Sequence, residues 1–187
     1  MIKRDKLLKI LNREIKNKNI IKHMLATEAC MKALAKRLGA ENEAEWAMAG
    51  LMHDGDYRDD VPPEQQGIKI TEILEKEGIE VPESVAQAMA AHNYSNTGVE
   101  PQSLMDWALF TCDSLTGLIV ACALVKGKKL VNVTVETVLK KFKDKRFAAG
   151  TRREDIKMCQ EKLGLSLPEF IEICLKAMQA ISDDLGL

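Results

Sequence analysis

Apolar residues recur every three or four positions along most of the chain, which is the spacing of amphipathic α-helices. The first such pattern runs from Leu7 to Ile15, and the second runs from Ile20 to Leu34 and stops at Gly39. Prolines and glycines mark the boundaries of several later patterns. The further predicted helices cover residues from about 43 to 52, 63 to 77, 82 to 92, 104 to 125, 134 to 144, 152 to 163 and 168 to 184.

The segments between these helices give little support to other secondary structure. The clearest loop is NYSNTGVEPQS, which is rich in Asn, Ser, Gly and Pro. The best strand candidate, KLVNVTVETV at residues 129–138, is short and has no obvious partner strand. With no internal repeat and no convincing linker in 187 residues, the chain is predicted to be all-α and to form one compact domain, residues 1–187.

Charge and composition narrow the possible partners. Lys and Arg number 27 against 28 Asp and Glu, and this net charge of −1 gives no global attraction to nucleic-acid polymers or anionic membranes. The five cysteines are scattered through helical patterns without a CxxC pair, which favours a reducing cytoplasm. The N-terminal stretch is charged throughout and is not expected to be a secretion signal.

The segment at residues 104–125 has the length and apolarity of a membrane span, but Asp106 and Asp113 would be costly in lipid. We therefore predict an almost wholly buried core helix. No Lys or Arg lies within this segment to pair with Asp113. Because burying a bare carboxylate costs several kcal/mol, Asp113 is expected to be protonated, hydrogen-bonded, ion-paired or bound to a cation, and a metal is the most attractive of these.

The apolar run AGLMHDGDY ends in an imidazole and two carboxylates. Only three histidines occur in the chain, and each has mainly apolar neighbours. A single histidine on an apolar helix face is more often a core residue than a ligand. Two imidazoles and two carboxylates from three predicted helices, however, form a mixed nitrogen and oxygen set that suits a divalent first-row metal. These four residues are His23, His53, Asp54 and Asp113.

Their order resembles the HD-domain superfamily of metal-dependent phosphohydrolases, in which His, then His-Asp, then a distant Asp lie on consecutive helices. The resemblance rests on IIKHMLATEACMKALAKRLG, GLMHDGDY, AMAAHNYS and LFTCDSLTGLIVAC, and it spans roughly residues 20–125. DSLTGLIVACALV and KFKDKRFAAGTRRED are also similar to a small bacterial branch with no settled substrate. The resemblance implies a helical bundle with a metal-binding core at about 20–125 and C-terminal helices at 134–186 packed on it.

The function that this resemblance implies is metal-dependent hydrolysis of a small phosphorylated molecule, possibly a nucleotide, by attack of a metal-activated water. It implies a phosphomonoesterase or phosphodiesterase with one divalent ion, which is Mn, Fe, Co, Ni, Zn or Mg, bound by the four residues above. The alternative is a non-catalytic regulatory module that binds a metal or a nucleotide. An oxidative di-iron enzyme is disfavoured by the short supply of histidines, and a homodimer is compatible with the exposed helix faces.

Two positions depart from the family pattern. Gln66 stands where two-metal members carry a further histidine, which favours one metal ion over two. Tyr57 stands where some nucleotidase members carry a glutamate, so the proton-handling group stays open. We interpret His92 as a phosphate contact, a proton donor or a ligand of a weakly held second ion, with the closing residue of a helix as the alternative.

The remaining residues receive roles from the chemistry of hydrolysis. Asp54 is expected to orient the attacking water, and His92 or Asp56 to donate a proton to the leaving oxygen. Asp56 is also a candidate for a solvated loop carboxylate or a helix cap. Positive charge for the phosphate is expected from Lys145, Arg146 and Arg152, with Lys143, Arg153 and Arg58 as further candidates. A solvated position is the alternative for Arg152.

Overall fold

The computed structural model describes residues 4–187, so residues 1–3 of the predicted domain lie outside the described part of the chain. No β-strand occurs between residues 4 and 187, and the predicted all-α fold class is confirmed. The helices are α1 (Arg4–Glu14), α2 (Lys18–Leu38), α3 (Glu43–Met52), α4 (Lys69–Lys76), α5 (Glu83–Ala91), α6 (Tyr94–Thr97), α7 (Leu104–Val125), α8 (Val135–Lys143), α9 (Arg153–Leu163), α10 (Leu167–Gln179) and α11 (Ser182–Leu185), with 3-10 turns at Pro63–Gln65 and Leu130–Asn132.

Two segments differ from the sequence-based expectation. The predicted helix at 63–77 divides into a 3-10 turn and α4, because Gly67 between them adopts a φ of +90° that ends helical geometry. The strand candidate at 129–138 forms a 3-10 turn followed by α8. The Thr134 hydroxyl accepts a hydrogen bond from the Thr137 N–H at 3.2 Å and so caps the start of that helix.

Helix α7 lies at the centre of the fold. It packs against α2, α5, α8 and α9, while α2 packs against α3 and α10. One hydrophobic cluster extends from Leu7 in α1 to Leu185 in α11. The helices that carry the four candidate ligands therefore meet inside one core.

The two ends of α7 are less buried than predicted. Leu104 is 49% exposed, and Leu124 and Val125 are 51% and 59% exposed. The helix starts with a reciprocal cap in which Ser103 and Asp106 bond to each other's backbone N–H groups, and this accounts for the buried carboxylate of Asp106. Among the described helices, α7 alone could cross a bilayer by length and composition, but 61% of its most apolar window is buried in the protein.

Helix α3 approaches α2 closely at Gly50. A Cβ atom at this position would lie 2.8 Å from the carbonyl oxygen of Thr27 and 2.9 Å from Cγ of Met31. The first contact is with backbone, which a rotamer change cannot relieve. Gly50 therefore sets the separation of the two helices that carry His23 and His53.

We expect Gly50→Ala to destabilise the protein by about 1–3 kcal/mol, because the added methyl group overpacks the contact between α2 and α3. Gly117→Ala in α7 is the matched control, since a Cβ there meets nothing within 4 Å. That control is expected to stabilise by up to about 1 kcal/mol through helix propensity. Urea unfolding followed by circular dichroism measures both changes, and equal stabilisation by the two substitutions would contradict the close approach.

Candidate metal centre

Three helices bring the four predicted ligands together. His23 lies on α2, His53 and Asp54 follow the last turn of α3, and Asp113 lies midway along α7. Nε2 of His23 is 3.2 Å from Nε2 of His53 and 2.9 Å from Oδ1 of Asp113. Oδ2 of Asp54 is 3.7 Å from Nε2 of His23 and 3.5 Å from Nε2 of His53. The structure thus places one atom of His23, Asp54 and Asp113 within 3.8 Å of Nε2 of His53.

The other ring nitrogen of each of these imidazoles has a partner of its own. Nδ1 of His53 is 2.9 Å from the carbonyl oxygen of Gly50, which can only accept. Nδ1 of His23 is 3.1 Å from the Thr116 hydroxyl, whose hydrogen goes to the carbonyl oxygen of Asp113 at 2.7 Å. When both Nδ1 atoms carry the hydrogen of a neutral imidazole, both Nε2 atoms direct lone pairs toward each other and toward the two carboxylates.

The spacing of these atoms fits a bound cation. Two lone pairs 3.2 Å apart repel each other unless a proton or a metal ion lies between them. Ligand atoms at about 2.1 Å from a metal are about 3.0–3.4 Å from one another in octahedral or tetrahedral geometry. Most of the separations above fall in or near this range, and His23, His53 and Asp113 form one potential ligand group. The residues present therefore fit a divalent ion.

His92 lies beside this cluster. Its Nε2 is 3.4 Å from Oδ1 of Asp54, and its Nδ1 bonds to the carbonyl oxygen of Met89. The ring is 5% exposed and makes an edge-to-face contact with His53 at 4.8 Å between centroids. His92, Asp54 and His53 form a second potential ligand group. His92 is thus placed to act at the site, although it also closes α5.

The carboxylate of Asp56 is engaged in structural hydrogen bonds. It is therefore not the free carboxyl group that the predicted proton donor requires. The residue is fully buried, and its oxygens accept hydrogen bonds from the N–H groups of Gly67 at 2.9 Å and Ile70 at 2.8 Å. Both bonds lie where α4 begins, so the helix-cap alternative describes Asp56 correctly. We therefore assign Asp56 to positioning α4 and not to the chemistry.

The electrostatics of the cluster follow from burial opposed by ion pairing. Burial opposes protonation of His23, but its hydrogen bond and charge interaction with Asp113 prevail and raise the pKa of His23. The pKa of His92 is raised in the same way by Asp54. Burial opposes ionisation of Asp113, yet bonds from His23 and His53 hold its pKa well below the usual range. The pKa of Asp54 is lowered to about 2, against burial, chiefly by the charges and hydrogen bonds of the histidines.

Arg152 is the one predicted phosphate-binding residue that reaches the cluster. Its Nη2 lies 3.2 Å from Oδ2 of Asp113 and its Nε lies 2.7 Å from Oδ2 of Asp155. Lys145 and Arg146 do not line the cavities beside the histidines, and the Arg146 side chain is 98% exposed. Both side chains are exposed to solvent on the loop that carries them, so their role in binding phosphate stays a prediction.

The further basic candidates also lie elsewhere. Arg58 is paired with Glu14 and Asp60, and Lys143 is exposed at the end of α8. The guanidinium of Arg153 lies against the loop between α8 and α9 and donates hydrogen bonds to several main-chain oxygens. These acceptors are the carbonyl groups of Lys141, Phe142, Asp144, Phe147, Ala148 and Thr151. The loop backbone is therefore organised around one guanidinium group.

Two cavities open beside the cluster. One, of about 430 Å³, is lined by Asp54, His92 and the amide side chains of Gln66, Asn93 and Asn96. The other, of about 530 Å³, is lined by His23, Asp113 and a wall of small residues. Arg152 and Asp113 line both. His23, Asp54 and Asp113 thus border space for a small molecule, whereas His53 is fully buried behind them.

A third cavity lies elsewhere, between α1, α2 and α3. Its volume is about 640 Å³ and its wall is mainly apolar. Its buried carboxylate, Glu28, is already paired with Arg4 at 2.7 Å and with Lys32 at 3.0 Å. None of the residues that line this cavity is a histidine, in contrast to the two cavities beside the cluster.

Several residues at the site were not foreseen from the sequence. Thr116 orients His23, Asp155 holds Arg152, and Asn93 and Asn96 line the amide cavity. A threonine three residues after Asp113 is a usable signal, because positions i and i+3 share a helix face. The amide residues lie in a loop, where sequence periodicity carries no information on which side chains turn inward.

The comparisons with known proteins give one family match. The model of the HD domain matches residues 20–118, which include all five side chains of the cluster. This is more than half of the chain. No curated protein and no solved structure matches the chain significantly.

We expect the pH dependence of stability to reverse on metal binding. In metal-free protein, the raised pKa values of His23 and His92 provide stability below their ordinary value of 6.5 that is lost as pH rises. The lowered pKa values of Asp54 and Asp113 provide stability above 3.8 that is lost on acidification. Metal-free protein should thus be most stable between about pH 4 and 6.5. A bound ion requires neutral imidazoles, so its stabilisation should grow above pH 6.5.

Thermal unfolding with EDTA, and with excess Mn²⁺, checks this dependence from pH 4 to 8. The double variant His23→Gln, His92→Gln is the control and should lose most of the decrease above pH 6.5 in EDTA. A chelated protein whose melting temperature rises steadily from pH 6 to 8, with no added effect of metal, would refute the assignment.

Proposed function

Because the chain belongs to the HD-domain family, whose members are in general metal-dependent hydrolases, we propose that it is a phosphohydrolase acting on a small phosphorylated substrate such as a nucleotide. One observation carries the proposal. The lone pairs of His23 and His53 and the carboxylates of Asp54 and Asp113 converge beside an arginine and two open cavities. Family members without catalysis exist, so accessibility of the cluster is the feature that favours turnover.

The proposed cofactor is one divalent ion held by His23, His53, Asp54 and Asp113. Two imidazoles among the donors favour Mn, Fe, Co, Ni or Zn over Mg, which prefers oxygen ligands. When bound, such an ion supplies Lewis acidity to a phosphoryl oxygen and lowers the pKa of a water to near neutrality. HD-domain proteins bind divalent metals, and the ligand groups described above support the same property here.

Asp54 and His92 are the proposed proton-handling pair. Asp54 presents Oδ2 to His23 and His53 and Oδ1 to His92, so one carboxylate can orient a water between the ligands and the substrate. Burial disfavours a charged His92, but its hydrogen bond and charge interaction with Asp54 prevail and raise its pKa, which favours a proton on Nε2. That proton is available to the leaving oxygen of the substrate, which departs as a neutral hydroxyl group.

Arg152 is the proposed phosphate-binding residue. Its side chain is 42% exposed and lines both cavities, so its guanidinium can donate to phosphate oxygens. Asp155 and Asp113 hold it in the ligand-free state. No wider basic surface adjoins the described cavities, which supports a small phosphorylated molecule and not a polymer.

We expect His53→Ala and Asp54→Ala each to lower turnover by more than about a hundredfold, because each removes a metal-binding atom. Phosphate release from a panel of nucleotides and 4-nitrophenyl esters, with Mn, Co, Ni, Mg or Zn, measures the effect. Elemental analysis of the purified variants should show loss of metal. Arg146→Ala, on a 98% exposed side chain, is the control and should match the wild type.

One outcome of this panel would favour the non-catalytic alternative. Tight nucleotide binding without phosphate release, across all five metals, would identify a regulatory module and refute the hydrolase.

We expect Arg152→Ala to raise KM for phosphorylated substrates by about ten- to a hundredfold, the effect of losing a charge-assisted hydrogen bond worth about 1.5–3 kcal/mol. Arg152→Lys should recover only part of this loss, because an ammonium group lacks the planar fork. Lys145→Ala, exposed on the same loop, is the control. Equal KM values for Arg152→Ala and the wild type would exclude the arginine from binding.

A further inference from the structure

The two cavities beside the cluster differ in character and meet at the same pair of residues. Asp113 and Arg152 line both, so a phosphate bound at Arg152 has one cavity on each side. The 430 Å³ cavity presents hydrogen-bonding amides, of which Asn93 is fixed by a bond from its Nδ2 to the carbonyl oxygen of Pro63 at 3.1 Å. A polar substituent such as a nucleoside suits this wall.

The 530 Å³ cavity has a different wall, in which α7 and the loop before α9 contribute small side chains. Ser114 and Gly117 lie on the α7 side, and Ala149 and Gly150 lie on the loop side. Apart from Arg152, the residues that line this cavity beside His23 and Asp113 are serine, threonine, glycine and alanine. A cavity of this size can hold one substituent of a bound phosphate ester, while a second substituent occupies the amide-lined cavity.

Gly117 has no structural reason to be glycine. It lies within a 22-residue helix, where glycine costs about 1 kcal/mol relative to alanine. Its φ is not in the left-handed region, and a Cβ atom would meet nothing within 4 Å. Gly50, by contrast, is required by close backbone packing. The missing side chain at Gly117 leaves the cavity beside Asp113 open.

From these observations we propose that the substrate is a phosphodiester whose two substituents occupy the two cavities, with the phosphate between them at Arg152. This inference rests on the proposed hydrolase function and selects diesters over monoesters. A monoester would fill one cavity and leave the other to water, without a use for the space at Gly117.

The reaction balances as a hydrolysis. The oxygen of one water forms a new bond to phosphorus, and the bond from phosphorus to one ester oxygen breaks with its electron pair staying on that oxygen. One proton of the water passes to solvent through Asp54, and His92 supplies the proton that the leaving oxygen takes up. The products are a phosphomonoester and an alcohol, and no oxidant or further reactant is consumed.

The test compares bis(4-nitrophenyl) phosphate with 4-nitrophenyl phosphate, which share a leaving group, using the full chain loaded with Mn²⁺. We expect the diester to have the higher kcat/KM, by about tenfold or more, equal to ~1.4 kcal/mol of transition-state binding. The series Gly117→Ala, Gly117→Leu and Gly117→Trp should lower the diester-to-monoester ratio progressively, by about tenfold at leucine. Lys140→Leu, exposed on α8, adds the same side chain outside both cavities and should keep the wild-type ratio.

Each outcome decides between the proposals. Hydrolysis of neither ester with any metal removes the proposed function and this inference with it. A preference for the monoester, or a ratio unchanged by Gly117→Leu in a folded protein, overturns the inference while the hydrolase stands. If Gly117→Leu fails to fold, Ala149→Leu fills the same cavity from the exposed loop and replaces it in the comparison.

Discussion

The structure depends on two carboxylates, Asp54 and Asp113, that are surrounded by imidazoles. The Nδ1 atoms of these imidazoles already have hydrogen-bond partners. Gly50 and Thr116 hold the Nδ1 atoms of His53 and His23, so neither ring can turn away from the acids. Nitrogen and oxygen lone pairs that face each other in this way require a proton or a cation between them. This arrangement also requires α2, α3 and α7 to pack at fixed separations, and the central position of α7 provides that.

A second level of support surrounds this cluster. Asp56 binds the N–H groups at the start of α4, and Gly67, at the same turn, passes so close to α5 that a Cβ would lie 2.2 Å from the carbonyl oxygen of Met89. The same carbonyl accepts the Nδ1–H of His92. Asp56 and Gly67 thus position the imidazole of His92 at the end of α5, although neither is a proposed metal ligand.

Much of the fold and of the candidate site could be predicted from the sequence, for physical reasons that also limit the rest. Helical periodicity reports which faces are buried, so the helices of His23, His53 and Asp113 were placed nearly to the residue. Loops have no such period, and the choice of Arg152 over Arg146 depends on contacts with α7 and α9 that only the fold supplies. Asp56 was ambiguous for the same reason, since burial of a loop carboxylate is a tertiary property.

The contacts of Arg153 have a consequence for divergence within the family. The guanidinium holds the segment between α8 and α9 through main-chain oxygens, which every amino acid possesses. The side chains of that segment can change while its path stays the same, so the wall facing Gly117 can vary as long as Arg153 is kept. Ligand preference can thus be redesigned or can drift at Ala148 and Ala149 without disturbing the helices beneath.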